Sequence, residues 1–356
     1  MGRRKYTFEK MKIALLAPPY LPVPPVGYGG TERIVAALAD GLVDRGHDVT
    51  LFASGDSHTR ARLHPIVPKA IGNSGEIKNK PLIPLLAYTT CFSRASEFEI
   101  IHNHAQYLAM FLAQFSPVPV VHTLHGSIYQ GEVPLEKRNV LMQFARQGFI
   151  SISNDQRKAL PQLNWIATVY NGINLSEFTF VDRAGNYLLW VGRVTAKKGA
   201  LEAIKVAHAV GLPLKMAGVV DPIDRPFYER EILPYIKGGS VEFIGELNAE
   251  GKSRLYGGAI ATVYPISWHE PFGLVMAESM ACGTPVVATR WGSVPEIVAD
   301  GVTGFVVDTF EELVLAVKKV GMIKRFACRA RVEAHFTIQK MIEGYVAAYK
   351  LCVLQS

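Results

Sequence analysis

Short apolar runs alternate along the chain with longer segments in which apolar residues recur every three or four positions. Residues 12–17 form an apolar run of the kind expected for a strand buried on both faces of a sheet. The periodic segment after it ends at Gly46 and leads into a second predicted strand, residues 47–53. Strand–helix units of this kind recur and predict an α/β fold built on doubly wound parallel sheets.

The same pattern begins again in the second half of the chain. Residues 187–191 form an apolar run and residues 200–210 a periodic helix, whereas residues 178–185 show no apolar periodicity. A chain of 356 residues is long for a single hydrophobic core. We therefore predict two domains with a linker at residues 178–185. Residues 54–98 are poorly periodic and predict loops with one helix near residues 85–96.

The composition is that of a globular protein, because 49% of the residues are hydrophobic and 19% are charged. No uncharged apolar run reaches the roughly 18 residues that would predict a membrane-spanning helix. The polar and basic residues 1–10 do not have the pattern of a signal peptide. The four cysteines are scattered without a C-x-x-C pair, which favours a reduced, cytoplasmic setting over a disulfide scaffold.

The net charge of +7 is compatible with three kinds of anionic partner: nucleic acid, a membrane surface or a small substrate. The sequence shows no nucleic-acid-binding motif, so we expect no nucleic-acid partner. Peripheral contact with the inner face of an anionic membrane and an ordinary solvated surface both remain open. The basic residues that the membrane hypothesis invokes are Arg3, Arg4, Lys5, Lys318, Lys319, Lys324 and Arg325.

The segment 270–278 combines two carboxylates with a predicted helix start. Glu270 lies in a loop interrupted by Pro271 and Gly273, and Glu278 lies inside the apolar helix that follows. The N–H groups at a helix N-terminus bind anions, and carboxylates accept hydrogen bonds from a diol. Because a nucleotide sugar carries both a diphosphate and hydroxyl groups, the segment indicates a nucleotide-sugar site. The alternative is a surface glutamate and an unrelated glutamate in a helix.

A glycine-containing turn, residues 192–199, follows the apolar run that opens the second half of the chain. Arg193 and Lys198 lie on this turn, and their guanidinium and ammonium groups are both suited to phosphate oxygens. The alternative is a surface turn whose charges are solvated.

Two loops of the first half also follow predicted strands. Residues 27–32 are glycine-rich, but Glu32 stands where the dinucleotide-binding pattern GxGxxG requires glycine. His125 and Gly126 follow the predicted strand 118–121, at the edge where doubly wound sheets bind ligands. The alternative for His125 is a hydrogen-bonded structural histidine.

A further histidine pair lies at the end of a predicted strand, residues 99–102. His102 and His104 are two positions apart, so a strand would place them on one face. With His122 and His125 they are conceivable zinc ligands, but no cysteine or carboxylate joins them at ligand spacing. We favour polar strand-end residues and expect no metal site.

The string 270–278, together with residues 192–199, resembles the signature of the retaining glycosyltransferases of family 4, the group 1 glycosyltransferases. The resemblance extends over nearly all of residues 11–350 and implies a GT-B fold. That fold consists of two Rossmann-like, doubly wound parallel-sheet domains with an interdomain cleft. The implied organisation is a basic tail at 1–10, an acceptor-side domain at 11–178, a nucleotide-sugar-binding domain at 179–335, and a helix at 336–356 that packs back on the first domain.

The resemblance also implies roles for individual residues. Those with implied catalytic roles are His125, Arg193, Lys198 and Glu270. Those implied to bind the donor are Gly29, Gly30, Arg193, Lys198, Leu247, Glu270, Phe272, Gly273, Leu274, Val275 and Glu278. Those implied on the acceptor side or in the cleft are Thr31, His104, Asn171 and Gly172. The role of Trp268 stays open between stacking on a sugar ring and packing.

The implied reaction moves a hexose from a nucleotide-diphosphate sugar, with a UDP-sugar favoured, to an acceptor hydroxyl with retention of configuration. It requires neither a metal ion nor another cofactor, and the acceptor is open. A GT-B nucleotide-sugar epimerase and a non-catalytic nucleotide-sugar-binding homologue are the alternatives. A NAD-dependent oxidoreductase is disfavoured because the dinucleotide-binding pattern is missing.

Overall fold

The computed structural model describes residues 10–72 and 80–355, so residues 1–9 of the predicted basic tail lie outside the described residues. The chain divides into two compact units. The first contains the chain up to residue 152, residues 157–172 and the segment from residue 338 onward, and the second contains residues 153–156 and 173–337. Ile173, the first residue of the longer segment of the second unit, donates its N–H to the carbonyl of Phe336 at 2.7 Å.

The first unit is built on a seven-stranded parallel sheet with the order β3-β2-β1-β4-β5-β6-β7. Its strands are β1 Lys12–Leu16, β2 Asp48–Ser54, β3 Arg62–Val67, β4 Ile100–Asn103, β5 Val120–Thr123, β6 Gly148–Ser151 and β7 Trp165–Thr168. Its first strand, β1, lies inside the sheet and is buried along Ile13–Leu16. Such burial explains the apolar run from which this strand was predicted.

The helices of the first unit cover its sheet and include the last helix of the chain. They are Gly30–Asp44, Leu82–Phe92, Leu108–Ala113, Leu135–Gln143 and Ile338–Gln355. The short helix Asn154–Lys158 follows β6 and has residues in both units. Tyr345 and Tyr349 of the last helix are fully buried. The last helix also contacts Gly41, where a Cβ would lie 2.0 Å from Cδ1 of Ile342. Residues 338–355 therefore pack as part of the first unit.

The second unit repeats the architecture with a six-stranded parallel sheet of order β10-β9-β8-β11-β12-β13. Its strands are β8 Tyr187–Val191, β9 Leu214–Ala217, β10 Val241–Gly245, β11 Ala259–Tyr264, β12 Val286–Thr289 and β13 Gly304–Val307. Its helices are Ala200–Val210, Arg225–Phe227, Leu233–Lys237, Ala249–Gly258, Leu274–Ala281, Val294–Ile297, Phe310–Lys319 and Arg325–His335. Trp190 of β8 is fully buried in the core of this unit.

In each sheet the first strand of the unit lies inside, and the strand order reverses beside it. The reversal falls between β1 and β4 in the first unit and between β8 and β11 in the second. Loops that leave the carboxyl ends of two such strands diverge and leave room for a ligand. The predicted turn 192–199 follows β8, and the loop with Glu270 follows β11, so the fold places both at this point.

The segment between β2 and β4 differs from the prediction. It contains strand β3, which was expected to be loop, and its helix spans Leu82–Phe92 and not residues 85–96. β3 is an edge strand, and only Ile66 among its residues is buried. An edge strand with this exposure lacks the apolar signal that identifies buried strands.

The prediction that Arg325 is a surface charge available for membrane contact is wrong. Its side chain is buried and donates to the carbonyls of Val181 at 2.7 Å, Gly257 at 2.9 Å and Ala259 at 3.0 Å, and to Thr284 Oγ1 at 2.6 Å. The guanidinium thus serves as an internal connector of backbone carbonyls. Within residues 10–72 and 80–355, no helix combines the length and the apolar character needed to cross a bilayer.

Candidate functional site

Glu270 is held in a fixed backbone conformation in the loop after β11. Its carbonyl accepts a hydrogen bond from the Ser293 N–H at 2.9 Å. Gly292 has φ +58°, and a Cβ on it would lie 2.3 Å from the Glu270 nitrogen. Only glycine permits both this conformation and this approach. The carboxylate of Glu270 is consequently presented from a rigid and largely buried position.

Lys198 and Glu270, two residues predicted for the site, form an ion pair. The Lys198 ammonium and the Tyr264 hydroxyl both donate to Oε2 of Glu270. Lys198 Nζ also lies 3.3 Å from the Tyr264 hydroxyl and 4.4 Å from the centre of the Trp268 ring. Trp268 therefore packs against the ammonium in a cation–π contact. Sequence reasoning missed Tyr264, because it lies within the apolar strand β11 and only folding turns its hydroxyl to Glu270.

The turn that carries Lys198 depends on Gly199. This glycine has φ +69°, and a Cβ on it would lie 2.0 Å from the carbonyl oxygen of Pro265. The carbonyl of Lys198 accepts a hydrogen bond from Trp190 Nε1 at 2.9 Å, and its N–H donates to Thr195 Oγ1 at 3.2 Å. These contacts fix the loops after β8 and β11 against each other and set the position of the ammonium.

Arg193 lies on the same turn and contacts two carboxylates that sequence reasoning missed. Its Nε donates to Asp224 Oδ2 at 2.5 Å, and its Nη1 lies 3.6 Å from Asp221 Oδ2. Both aspartates follow β9, the neighbour of β8, so their position after a strand was the available signal. A guanidinium has five N–H donors, and the bond at Nε leaves others for a second anion. The arrangement orients Arg193 and is compatible with phosphate binding.

The helix Leu274–Ala281 begins at Gly273 without a side-chain cap. Gly273 has φ +77°, and a Cβ on it would lie 3.2 Å from Cγ of Glu270, so the helix start adjoins the Lys198–Glu270 pair. The N–H groups of Leu274 and Val275 lie in the first turn, where a helix supplies no carbonyl acceptor. These N–H groups, like the helix dipole, favour an anion at this position.

Glu278 lies in the same helix and is buried in a polar cluster. Its Oε1 accepts from Lys252 Nζ at 2.6 Å and its Oε2 from the Tyr256 hydroxyl at 3.1 Å. Burial, and then the charge of Glu278, raise the pKa of Tyr256 well above its ordinary value. Lys252 and Tyr256 were missed, although their spacing of four residues in a helix places them on one face.

Leu247 and Phe272, both predicted to bind the donor, have mainly packing contacts. Leu247 follows β10 and is half-buried against Gly251, where a Cβ would lie 3.1 Å from its Cδ2. Phe272 is 2% exposed, and its ring meets Phe336 edge to face at 5.8 Å. Burial therefore leaves mainly the backbone of Phe272 for contact with a ligand, whereas the side chain of Leu247 is still partly accessible.

In the first unit the predicted residues His104 and His125 lie together. His104 Nδ1 is 2.8 Å from His125 Nε2. His102, beside them, bonds through Nδ1 to the Tyr349 hydroxyl at 2.6 Å and through Nε2 to Thr123 Oγ1 at 2.7 Å. The strand ends of β4 and β5 and the last helix of the chain thus contribute to one buried histidine cluster.

The histidines of this cluster are those that the zinc alternative invoked. Across residues 10–72 and 80–355, no three His, Cys, Asp or Glu side chains are arranged to hold a metal ion. Burial lowers the pKa of His122 to about 3 and that of His125 to about 4. Burial, and then neighbouring histidines, lower the pKa of His102 and His104 well below the ordinary value. All four rings are therefore neutral near pH 7.

The glycine loop after β1 leads directly into the helix Gly30–Asp44. Gly29 is buried, and a Cβ on it would lie 2.8 Å from Cβ of Pro25. Gly30 is exposed and Thr31 is half-buried in the first turn of the helix. This part of the loop therefore offers backbone groups at a helix start, with no side chain at Gly29 or Gly30 to obstruct them.

Asn171 and Gly172 are the last residues of the segment 157–172 of the first unit and lie next to the last helix of the chain. The Gly172 N–H donates to Sδ of Met341 at 3.2 Å. Asn171 is 5% exposed, and its Oδ1 finds no hydrogen-bond partner among the described residues.

Comparison with known proteins identifies the family. A family model described as glycosyl transferases group 1 matches residues 175–323, and one described as glycosyltransferase family 4 matches residues 28–177. The alpha-maltose-1-phosphate synthase of Mycobacterium tuberculosis is 27% identical over 339 residues, covering 83% of this chain and 84% of that protein.

Solved structures show the same fold. The sucrose-phosphate synthase of Thermosynechococcus elongatus has a TM-score of 0.81 at 22% identity, covering 97% of this chain and 100% of that chain. Anabaena HepE, solved in complex with UDP and glucose, has a TM-score of 0.75 at 19% identity, covering 96% and 99%. With two parallel-sheet units of this kind, and with adjoining family models that together span residues 28–323, the chain is a glycosyltransferase of GT-B fold that belongs to the group 1 glycosyltransferases.

Proposed function

We propose that the protein transfers a hexose from a nucleotide-diphosphate sugar to an acceptor hydroxyl with retention of configuration and without a metal ion. The observation that carries this proposal is the contact between Lys198 and Glu270 beside the start of the helix Leu274–Ala281. A cation and helix N–H groups are suited to the phosphate oxygens of a sugar diphosphate, and a carboxylate is suited to its hydroxyl groups.

The positive groups have the task of stabilising the departing diphosphate. As the bond between the anomeric carbon and the phosphate oxygen breaks, negative charge grows on that oxygen. Lys198, Arg193 and the amides after Gly273 are fixed before the reaction, so they stabilise this charge without reorganisation. We propose that these groups provide the charge stabilisation for which other enzymes use a divalent cation.

The two glutamates have the task of holding the donor. We propose that Glu270 accepts a hydrogen bond from a sugar hydroxyl and that Glu278 accepts from the ribose diol. Both carboxylates are already bonded to a lysine and a tyrosine, which hold them in place. A carboxylate has about four lone-pair sites, so these bonds leave capacity for a hydroxyl. Uracil is favoured as the base because Anabaena HepE has been solved with UDP and glucose.

The proposed reaction proceeds by attack on one face of the sugar. The acceptor oxygen bonds to the anomeric carbon on the side from which the phosphate leaves, and the acceptor proton passes to the departing phosphate oxygen. His125 donates a hydrogen bond to a sugar oxygen. This route retains configuration and needs no covalent enzyme intermediate, in agreement with the resemblance to retaining enzymes.

Ligand-dependent thermal unfolding with UDP, GDP and ADP tests the donor site. A nucleotide that binds only the folded chain stabilises it by about 2.7 kcal/mol at 100 times its Kd, which raises Tm by several degrees. We expect UDP to give the largest shift and the Arg193→Ala variant to lose it. The absence of a shift with all three nucleotides would contradict the proposal.

Incubation with a panel of nucleotide sugars and no acceptor tests the chemistry. A glycosyltransferase releases free nucleoside diphosphate slowly by transfer to water. An epimerase converts the sugar nucleotide to an isomer, and a non-catalytic homologue binds it unchanged. Release of nucleoside diphosphate, abolished in the Glu270→Gln variant, is the expected result.

A further inference from the structure

His104 lies inside the first unit next to His125. Its ring is fully buried, and its Nδ1 is 2.8 Å from His125 Nε2. The rings of His104 and His125 are stacked with centroids 5.1 Å apart, and the ring of His102 lies 3.8 Å from that of His104. Because buried side chains in close packing have little freedom to change rotamer, His104 keeps this contact.

The surroundings of His104 Nε2 indicate which histidine is the donor in the hydrogen bond between His104 and His125. His104 Nε2 is buried and has no hydrogen-bond partner among the described residues. If Nε2 carried the hydrogen of the neutral ring, a buried N–H would be left unpaired. Unpaired buried N–H groups are rarer than acceptors that lack a donor. The hydrogen of His104 therefore belongs on Nδ1, and only a bare lone pair remains at Nε2.

We infer that His104 is a positioning residue that fixes the tautomer of His125. With its hydrogen on Nδ1, His104 donates to His125 Nε2, which must be the accepting nitrogen. A neutral ring has one hydrogen, so His125 carries it on Nδ1. An imidazole in water prefers the opposite tautomer, with hydrogen on Nε2. His104 thus forces His125 into the less common form.

The consequence concerns the group that His125 offers to a ligand. His125 is half-buried, and its bond to His104 is the one side-chain hydrogen bond that the described residues give it. Its Nδ1 then presents an N–H, which donates to a sugar oxygen and cannot take a proton from an acceptor hydroxyl. This rests on the proposed function and deepens it, since in the proposed same-face attack the departing phosphate oxygen takes the acceptor proton and no side chain has to act as a base.

The tautomer can be read directly in the whole protein by nuclear magnetic resonance. Multiple-bond ¹H–¹⁵N correlation of protein labelled with ¹⁵N-histidine distinguishes the two ring nitrogens, and variants at individual positions assign the ten histidines. We expect His125 to show a protonated Nδ1 at pH 7. In His104→Phe, which keeps an aromatic ring but removes the donor, His125 should revert to the Nε2–H form.

His104→Asn serves as the matched rescue, because the amide nitrogen of asparagine occupies nearly the place of Nδ1 in histidine and can donate. We expect His125 to remain in the Nδ1–H form in this variant. Release of nucleoside diphosphate should fall about tenfold in His104→Phe, the effect of one lost hydrogen bond, and recover largely in His104→Asn. Thermal unfolding of both variants shows that they are folded.

The outcomes separate the inference from the proposed function. A protonated Nε2 in wild-type His125, or an unchanged tautomer in folded His104→Phe, would overturn the inference. The expected tautomers in a protein that neither binds nor hydrolyses any nucleotide sugar would support the inference and reject the proposed function. Equal activity in His104→Phe and the wild type would show that the tautomer does not matter for the reaction and would overturn the positioning role.

Discussion

At the scale of single residues, the Lys198–Glu270 pair has both partners largely removed from solvent. Their side chains are 19% and 9% exposed. In Lys198→Ala the departing diphosphate loses a cation, so turnover should fall by about 100-fold or more. Lys197→Ala is the matched control, because Lys197 is the exposed neighbour on the same turn and should leave turnover unchanged. Nucleoside diphosphate release measures both, and activity of Lys198→Ala within twofold of the wild type would refute the role.

Glu278 and Lys252 form a second such pair, with side chains 6% and 15% exposed. Glu278→Gln leaves the Lys252 ammonium without its carboxylate, and breaking a buried pair costs about 3–5 kcal/mol of stability. Adding Lys252→Met removes the orphaned charge, so the double variant should regain stability in urea unfolding. Its affinity for nucleotide should nevertheless remain below that of the wild type, because the carboxylate that accepts from the ribose diol is missing. Wild-type nucleotide affinity in the double variant would rule out Glu278 as the ribose ligand.

At the scale of elements, two glycines flank the helix Ala200–Val210 with the same backbone conformation. Gly199 and Gly211 both have φ +69°, but a Cβ meets the Pro265 carbonyl at 2.0 Å only at Gly199 and has nothing within 4 Å at Gly211. Gly211→Ala should cost about 1–2 kcal/mol, the strain of the left-handed region. Gly199→Ala should cost at least about 3 kcal/mol, because the loop carrying Pro265 must also move.

Denaturant unfolding of Gly199→Ala and Gly211→Ala measures the difference between their unfolding free energies. Their nucleotide affinities provide a second, independent measurement. The displaced loop continues to Glu270, so folded Gly199→Ala should bind nucleotide more weakly than Gly211→Ala. Equal stability and equal binding in the two variants would show that the close approach at Pro265 does not position the site.

The elements that could be predicted from the sequence are those with a strong local signal. Strands β1 and β8 lie in largely apolar runs, and the two parallel sheets follow from the alternation of predicted strands with helices. β3 was missed because it is an edge strand that contains Pro65 and has only one buried residue, so it lacks that signal. The helix Arg325–His335 was also missed, because its sequence is largely polar and gives a weak apolar signal.

The candidate site could be predicted only in part for a related reason. The loops after β8 and β11 were found because glycines and charged residues follow apolar runs. The partners of these residues were not found: Asp224 is 31 positions from Arg193, and Lys252 is 26 positions from Glu278. Contacts at such separations depend on which strands are neighbours in the sheet, and local patterns do not specify that order.

At the scale of the whole molecule, the buried histidines are distributed unevenly. His102, His104, His122 and His125, whose pKa values are lowered by burial, all belong to the first unit. Each folded ring resists protonation at a pH where an unfolded histidine is already charged. The stability of the first unit should therefore depend on pH in the acid range more steeply than that of the second unit.

The sign follows from proton uptake at His122, which is fully buried. The unfolded chain protonates this residue near pH 6.5 and the folded chain only near pH 3. Between these values the unfolded state binds more protons, so the contribution of His122 to stability is fully present above about pH 6.5 and is lost as the pH falls toward 3. The slope for one histidine reaches about 1.4 kcal/mol per pH unit.

His122→Gln tests this contribution, because glutamine does not titrate and its amide can still pair with Asn103 Nδ2, which lies 2.8 Å from His122 Nδ1. The protein is equilibrated in urea at pH values between 7 and 5, and a hydrogen-exchange pulse at one fixed pH then labels the unfolded fraction. Because the exchange is measured for individual segments, the unfolding of each unit is obtained separately. As the pH falls from 7 to 5, the unfolding free energy of the first unit should decrease less steeply in His122→Gln than in the wild type. The two slopes should differ by the amount expected for the uptake of about one proton. His208→Gln, at an exposed histidine of the second unit, should leave the first unit unchanged. An identical slope in His122→Gln and the wild type would mean that His122 takes up its proton without the first unit unfolding.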